Sequence, residues 1–319
     1  HQKQLMHALD FSAANSKELE KVLKHYEHDS LKLEAAKFLI RNMPHCYSYQ
    51  QGGEMDSVKR VRTYYSPFGQ IDQTYARRWG HYTYRNLLKI YDAHIITAEY
   101  LIDNIDRAFD NWQKRPWNRS LSFEDFCEYL LPYRIGDEPL EEWRELYEKK
   151  YGYLLDSIYK GSDVVEAANL VSKHLQEPVF IYCEDFELPH IGPRYLFSHR
   201  YGSCVDAADI VTYAFRAVGI PCMEDTDARG GHVWNVVRDT TESDVPIWYI
   251  ASEAVRGSRD TGGYKRGKVY RPMYGFQEEK AAHLGDDWKS MPLLFYHPYM
   301  KDVSYAYYPD TLRTVSYTH

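Results

Sequence analysis

Residues 201–235 constrain this chain more than any other stretch. They spell a loop, a helix with a marked start and a marked end, a strand, a turn and a second strand. Gly202 and Ser203 close a loop, and Ser203 is a good N-cap because its hydroxyl can accept from the orphan N–H groups of a first turn. From Cys204 the apolar residues Ala207, Ala208, Val211, Phe215 and Val218 recur at steps of three and four, which is one helix face. Gly219 follows the last of them, and Pro221 stops continuation. A polar segment leads to Gly230-Gly231 and the strand-forming run His232-Val233-Trp234-Asn235-Val236-Val237.

Cys204 falls in the first turn, and its four-residue step to Ala208 puts it on the buried face. Free N–H groups and the dipole at a helix start favour an anion, so the thiol is expected to ionise more readily than usual. A thiolate is the competent nucleophile. His232, at the start of a neighbouring strand, is placed to take and return its proton, and a third polar group would orient the imidazole. A helical Cys on its own is ordinarily packing. Here its company matters: the helix ends in Arg216-Ala217-Val218-Gly219-Ile220-Pro221, and His232 is followed by Val-Trp-Asn.

Gly202-Ser203-Cys204, Arg216-Ala-Val-Gly-Ile-Pro221 and Gly231-His232-Val-Trp-Asn235 together resemble the core of the transglutaminase-like superfamily. The match runs from Arg200 to Glu253, about 50 of 319 residues. The flanking text resembles Bacteroides-type proteins with a helical region before this core. The resemblance implies an α+β, papain-like fold, a Cys-bearing helix on a small antiparallel sheet, and a Cys-His-Asp/Glu triad with Cys204 and His232 as its first two members. The third member departs from the pattern. Counting four residues from Trp248 reaches Ser252, and Glu253 is one further; a one-residue slip turns a strand side chain to the other face. Either Tyr249 stands in for the tryptophan and Glu253 is the acid, or the strand bulges, or the role is vacant. Glu253 is the favoured acid. The Cys204 backbone N–H is a candidate oxyanion donor.

Forty-four per cent hydrophobic and 27% charged residues suit a globular protein, and 39 Lys+Arg against 46 Asp+Glu give a net charge of −7, which argues against a nucleic-acid partner. No apolar run approaches the roughly 18 residues of a membrane-spanning helix. Thirty tyrosines and seven tryptophans suit sugar or peptide recognition but suit packing better. The five cysteines, Cys46, Cys127, Cys183, Cys204 and Cys222, include no C-x-x-C pair, so neither zinc nor a redox motif is indicated and no cofactor is expected. The expectation for the termini is a trimmed N-terminus and a C-terminus that continued into another domain. The resemblance points to export to the periplasm or cell surface.

Three regions are expected: a helical region over 1–118, the transglutaminase-like core over 119–272, and a linker or the start of a truncated domain over 273–319. Asn15 with Glu18 marks a helix start, with Leu19, Val22, Leu23 and Tyr26 on one face. Leu31, Ala35, Phe38, Leu39 and Met43 line a second helix, ended by Pro44. His25 and His28 are read as part of a solvated helix face rather than as metal ligands. A short helix is expected over 56–64, a turn at Ser66-Pro67-Phe68-Gly69, and a strongly amphipathic helix over 94–112. Ser122 with Asp125 opens a helix over 123–131. Further helices are expected over 140–159 and 163–175, with a short strand over 179–182 and a loop at Gly192-Pro193. After His232 the text predicts a polar connection over 239–244, a second strand over 247–252, a loop at Arg259-Asp260-Thr261-Gly262-Gly263, a strand over 268–271 and a helix over 277–283.

The chemistry that follows is thiol-dependent acyl transfer. Cys204 attacks a peptide or carboxamide carbonyl, His232 handles the proton, and Glu253 orients the imidazole. Water completes hydrolysis, or an amine completes transfer, with a peptide, protein or glycopeptide as substrate. The rival reading is a weak or inactive module that binds glycan or peptide on its aromatic surface.

Overall fold

The computed structural model describes residues 1–65, 70–184, 186–227, 231–241, 243–257, 267–287 (backbone only over 283–287) and 295–308. The turn expected at Ser66-Pro67-Phe68-Gly69, the glycine at Gly230 and the loop at Arg259-Asp260-Thr261-Gly262-Gly263 lie outside the described residues.

Helices come first. They are α1 (Gln2–Phe11), α2 (Ser16–His25), α3 (Ser30–Asn42), α4 (Gly53–Val61), α5 (Gln73–Trp79), α6 (Ala98–Lys114), α7 (Phe123–Tyr129), α8 (Arg144–Tyr153), α9 (Val164–His174), α10 (Pro193–His199) and α11 (Cys204–Val218). Two small ladders lie among them: β1 (Tyr47–Tyr49) antiparallel to β2 (Lys89–Tyr91), and β3 (Ile181–Tyr182) parallel to β4 (Tyr201–Gly202). The main sheet follows α11. Its strands are β5 (Cys222–Asp227), β6 (Val233–Val237), β7 (Val245–Ile247), β8 (Val269–Pro272) and β9 (Met300–Asp302), in the antiparallel order β7-β6-β5-β8-β9. Two more helices, α12 (Glu278–Asp287) and α13 (Ser304–Tyr307), flank β9. Helices and small sheets are mixed in one chain, as the α+β class requires.

Local signals account for many boundaries. Ser122 Oγ accepts from the Asp125 N–H at the start of α7, and Thr97 Oγ1 does the same for Tyr100, so α6 begins at Ala98 and leaves Ile95 exposed. Asn15 behaves otherwise. Its amide donates to the Ala93 and Ile96 carbonyls, and the Glu18 carboxylate takes the Ala98 N–H, so the pair expected to cap α2 ties α2 to α6 instead. The helix expected over 140–159 is α8 followed by one π turn, Leu154–Ile158. Gly192-Pro193 is a helix start rather than a loop: Gly192 (φ +101°) turns the chain and Pro193 takes the first position of α10.

α11 is buried on nearly every side, its polar residues Asp206, Asp209, Thr212 and Arg216 as well as its apolar ones. One core packs Tyr213, Phe215 and Val218 with Tyr147, Val171 and the helix-facing strand residues Cys222, Val237 and Ile247, all close to fully buried. Each such side chain contributes roughly 1.5–3 kcal/mol before the entropic cost of ordering it. A second core joins α1, α2, α3, α6 and α7. A third covers the far face of the sheet with Trp234, Val236, Val269 and Tyr307. Of the stretch expected to be a linker or the start of a truncated domain, several described residues pack into these layers: Tyr274 Oη donates to the Leu39 carbonyl, β9 pairs with β8, and Tyr307 Oη donates to Asp225 at 2.6 Å.

The polar segment after Pro221 is β5, the middle strand of the sheet. Its buried carboxyl groups are held by hydrogen bonds inside the protein. Asp225 receives two hydrogen bonds from Arg271, at 2.6 and 2.9 Å, and Glu224 receives one from Thr212 Oγ1 at 2.8 Å. The strand expected over 247–252 needs correction. β7 ends at Ile247, because Ser252 Oγ accepts the Trp248 and Tyr249 N–H groups at 3.1 Å and closes a turn.

Candidate active site

Cys204 is the first residue of α11, and a polar cluster holds that helix start. Asp206 Oδ2 accepts from the Ser203 N–H at 2.8 Å and from the Ser203 hydroxyl at 3.1 Å, and Arg62 donates to the same oxygen at 2.8 Å. Gly202 is required by packing: a Cβ there would lie 2.3 Å from the Asp206 side chain.

The Cys204 sulfur is partly buried and meets the backbone N–H groups of Val233 and Val205. Val233 is the residue after His232, so the thiol touches the strand one position from the imidazole-bearing residue. The expected lowering of its pKa is not what this setting produces. Burial pushes the Cys204 thiol up, and the Glu184 and Asp206 carboxylates push the same way; the two N–H groups only moderate it. The resting sulfur is therefore a thiol.

His232 is buried, with its ring 5.5 Å from Tyr249 and 5.8 Å from Trp234. Burial holds its pKa below the ordinary imidazole value, opposed by Asp227. Its resting state at neutral pH is an uncharged imidazole, which is the form that can accept a proton. Asp227 lies at the end of β5 and takes the Gly231 N–H on Oδ1 at 3.0 Å, within the hairpin that delivers His232. Its Asp-to-His spacing across a Gly-containing turn was the one signal in the text that could have singled it out. Glu253 is exposed, past the turn closed by Ser252, and among the described residues the charge that acts on His232 is that of Asp227.

A cavity of about 630 Å³ borders this region. β8 pairs with β5 only at Tyr270 and Val269; Pro272, with no N–H to give, lies beyond, and the cavity lies between residues 223–226 and 272–274. Val205, the residue after Cys204, lines it with Thr226 and Val233, together with His45, Tyr47, Arg134 and Asp137. His190 also lines it, with Nδ1 2.9 Å from Asp209, which holds the imidazole protonated well above its usual range despite burial. Gly136 lets that ring in: a Cβ there would sit 2.3 Å from His190 Nε2. Neither His190 nor Glu224 was marked by motif or spacing.

All five cysteines are unpaired, and no cluster of three or more metal-ligating side chains occurs among the described residues. No described helix is long and apolar enough to cross a membrane. No protein-family model, curated protein or solved structure matches this chain.

Proposed function

We propose that this chain carries a transglutaminase-like, papain-like core that performs thiol-dependent acyl transfer. The observation that supports this reading best is the contact of the Cys204 sulfur with the Val233 N–H, which places a helix-start thiol against the strand beside His232. In the resting pair both groups are neutral. As the sulfur attacks an amide carbonyl, His232 accepts the thiol proton, an S–C bond forms, and the imidazolium then gives the proton to the departing amine. Water adds to the thioester carbonyl, the C–S bond breaks, and the carboxylic acid and thiol are regenerated; an amine in place of water gives transfer. Asp227 supports the positive charge that His232 acquires, in the role the sequence offered to Glu253.

One observation favours the rival reading, a weak or inactive module that binds peptide or glycan: burial and nearby carboxylates both disfavour a thiolate. The test is acylation with p-nitrophenyl acetate followed by peptide mapping. The acyl-transfer reading expects an acetyl group on Cys204 that is formed at least tenfold more slowly in His232→Ala. Equal acylation of several cysteines, unaffected by His232→Ala, would leave only the binding module.

A further inference from the structure

Arg216 and Glu224 face the same cavity without meeting each other. Both are nine-tenths or more buried. Arg216 donates only to neutral acceptors, the Cys222 and Arg134 carbonyls at 3.1 and 3.3 Å and the Met223 sulfur at 3.2 Å, and among the described residues no carboxylate forms an ion pair with it. A guanidinium has five N–H groups, so some remain for a ligand. Glu224 receives a single hydrogen bond, from Thr212, although a carboxylate offers about four lone-pair sites. The other charged side chains of the wall are mostly engaged: Arg134 with Asp92, His190 with Asp209, Asp225 with Arg271. Asp137 accepts the His190 backbone N–H at 2.9 Å.

We propose that this cavity binds a free α-amino acid with a large apolar side chain, its carboxylate on Arg216 and its ammonium on Glu224. Thr212, which holds Glu224, and Arg216 are four residues apart, about 6 Å along α11, a span that an amino-acid head group bridges with a hydrogen bond at each end. Burial keeps the empty Glu224 carboxyl protonated well above the usual carboxylate range, and an arriving ammonium supplies the charge that lets it ionise. Tyr47, Tyr274, Phe295, Tyr299 and Met300 provide the apolar walls, and the His45 Nδ1 is a further buried polar atom without a partner among the described residues. The volume lies in the range of small-molecule sites. A buried guanidinium with no carboxylate hydrogen-bonded to it is costly, and a zwitterion relieves it without adding net charge.

This site does not depend on the thiol chemistry. The experiment is isothermal titration calorimetry of the full chain with L-phenylalanine, N-acetyl-L-phenylalanine and L-phenylalaninamide, in the parent protein and in Cys204→Ala. The expected result is saturable binding of L-phenylalanine, at least tenfold weaker binding of each blocked analogue, and no change in Cys204→Ala. Glu224→Gln, which keeps the Thr212 contact, is expected to weaken L-phenylalanine at least tenfold; if it fails to fold, the ligand series decides. Equal affinities for the three ligands, no binding of L-phenylalanine, leucine, methionine or tryptophan, or loss of binding in Cys204→Ala would overturn the assignment.

Discussion

Arg62 and Asp206 are 144 residues apart and form a buried ion pair at 2.8 Å, with each side chain only 4% exposed. The carboxylate also fixes Ser203, the residue before the thiol. The helical region thereby holds the start of α11. Removing one partner of a buried pair leaves a charge in a poor dielectric, so Arg62→Ala is expected to cost about 3–5 kcal/mol in urea unfolding. It should also slow Cys204 acylation under conditions where the variant remains folded, because the helix start loses an anchor.

Gly136 and Gly202 are expected to be intolerant for steric reasons. A methyl group at Gly136 collides with the His190 ring, and one at Gly202 collides with Asp206. Each alanine variant should lose about 1–3 kcal/mol, the usual cost of overpacking. Gly257→Ala, with φ +71° but nothing within 4 Å of the added carbon, is the comparison for conformational strain alone. Thermal melts of the three variants separate these causes.

The His190–Asp209 pair sets a pH dependence. In the unfolded chain the imidazole titrates near 6.5; in the folded protein Asp209 keeps it protonated to higher pH. Between those two values the folded state holds a proton that the unfolded state has lost. The contribution is therefore complete below about pH 6.5 and is lost as pH rises through the folded value. Urea midpoints from pH 6 to 9 should fall with pH in the parent protein, with a shallower slope in Asp209→Asn.

The two candidate acids make opposite demands. Asp227→Asn keeps an oxygen for the Gly231 N–H but removes the charge that opposes the lowering of the His232 pKa. It should slow Cys204 acylation roughly tenfold, about 1.4 kcal/mol, and move the imidazole titration to lower pH. Glu253→Gln, at an exposed position, should change neither. Proton NMR of the His232 ring reads the titration directly; a shift in Glu253→Gln and none in Asp227→Asn would return the role to Glu253.

Much of α11 was legible because its ends carry local chemistry: a Ser203 cap with Asp206 three residues on, and Gly219 in the left-handed conformation at φ +84°. The β6–β7 connection over 239–244 was legible for the same reason, as a polar break between two apolar runs. β5 was legible as a strand between the helix and the glycine turn, but its burial was not: Met223-Glu224-Asp225-Thr226-Asp227 is a polar segment, and partners far away in the chain, Arg271 and Tyr307 for Asp225, bury it. The end of β7 at Ile247 was not legible because the hydroxyl of Ser252 closes a turn there, an effect that residue counting does not register. The thiol's acidity was misjudged because the dipole is local and visible in the text, whereas burial and the Glu184 carboxylate come from the tertiary fold.

The most direct measurement is the pH–rate profile for acylation of Cys204 by p-nitrophenyl acetate, in the parent protein and in His232→Ala. A neutral imidazole acting on a neutral thiol gives two limbs: a rise completed at or below about pH 6.5, where His232 loses its proton, and a second above about pH 8.5, where the thiol ionises by itself. His232→Ala should lose the lower limb and keep the upper one. A single upper limb of equal height in both proteins would contradict the pairing of Cys204 with His232.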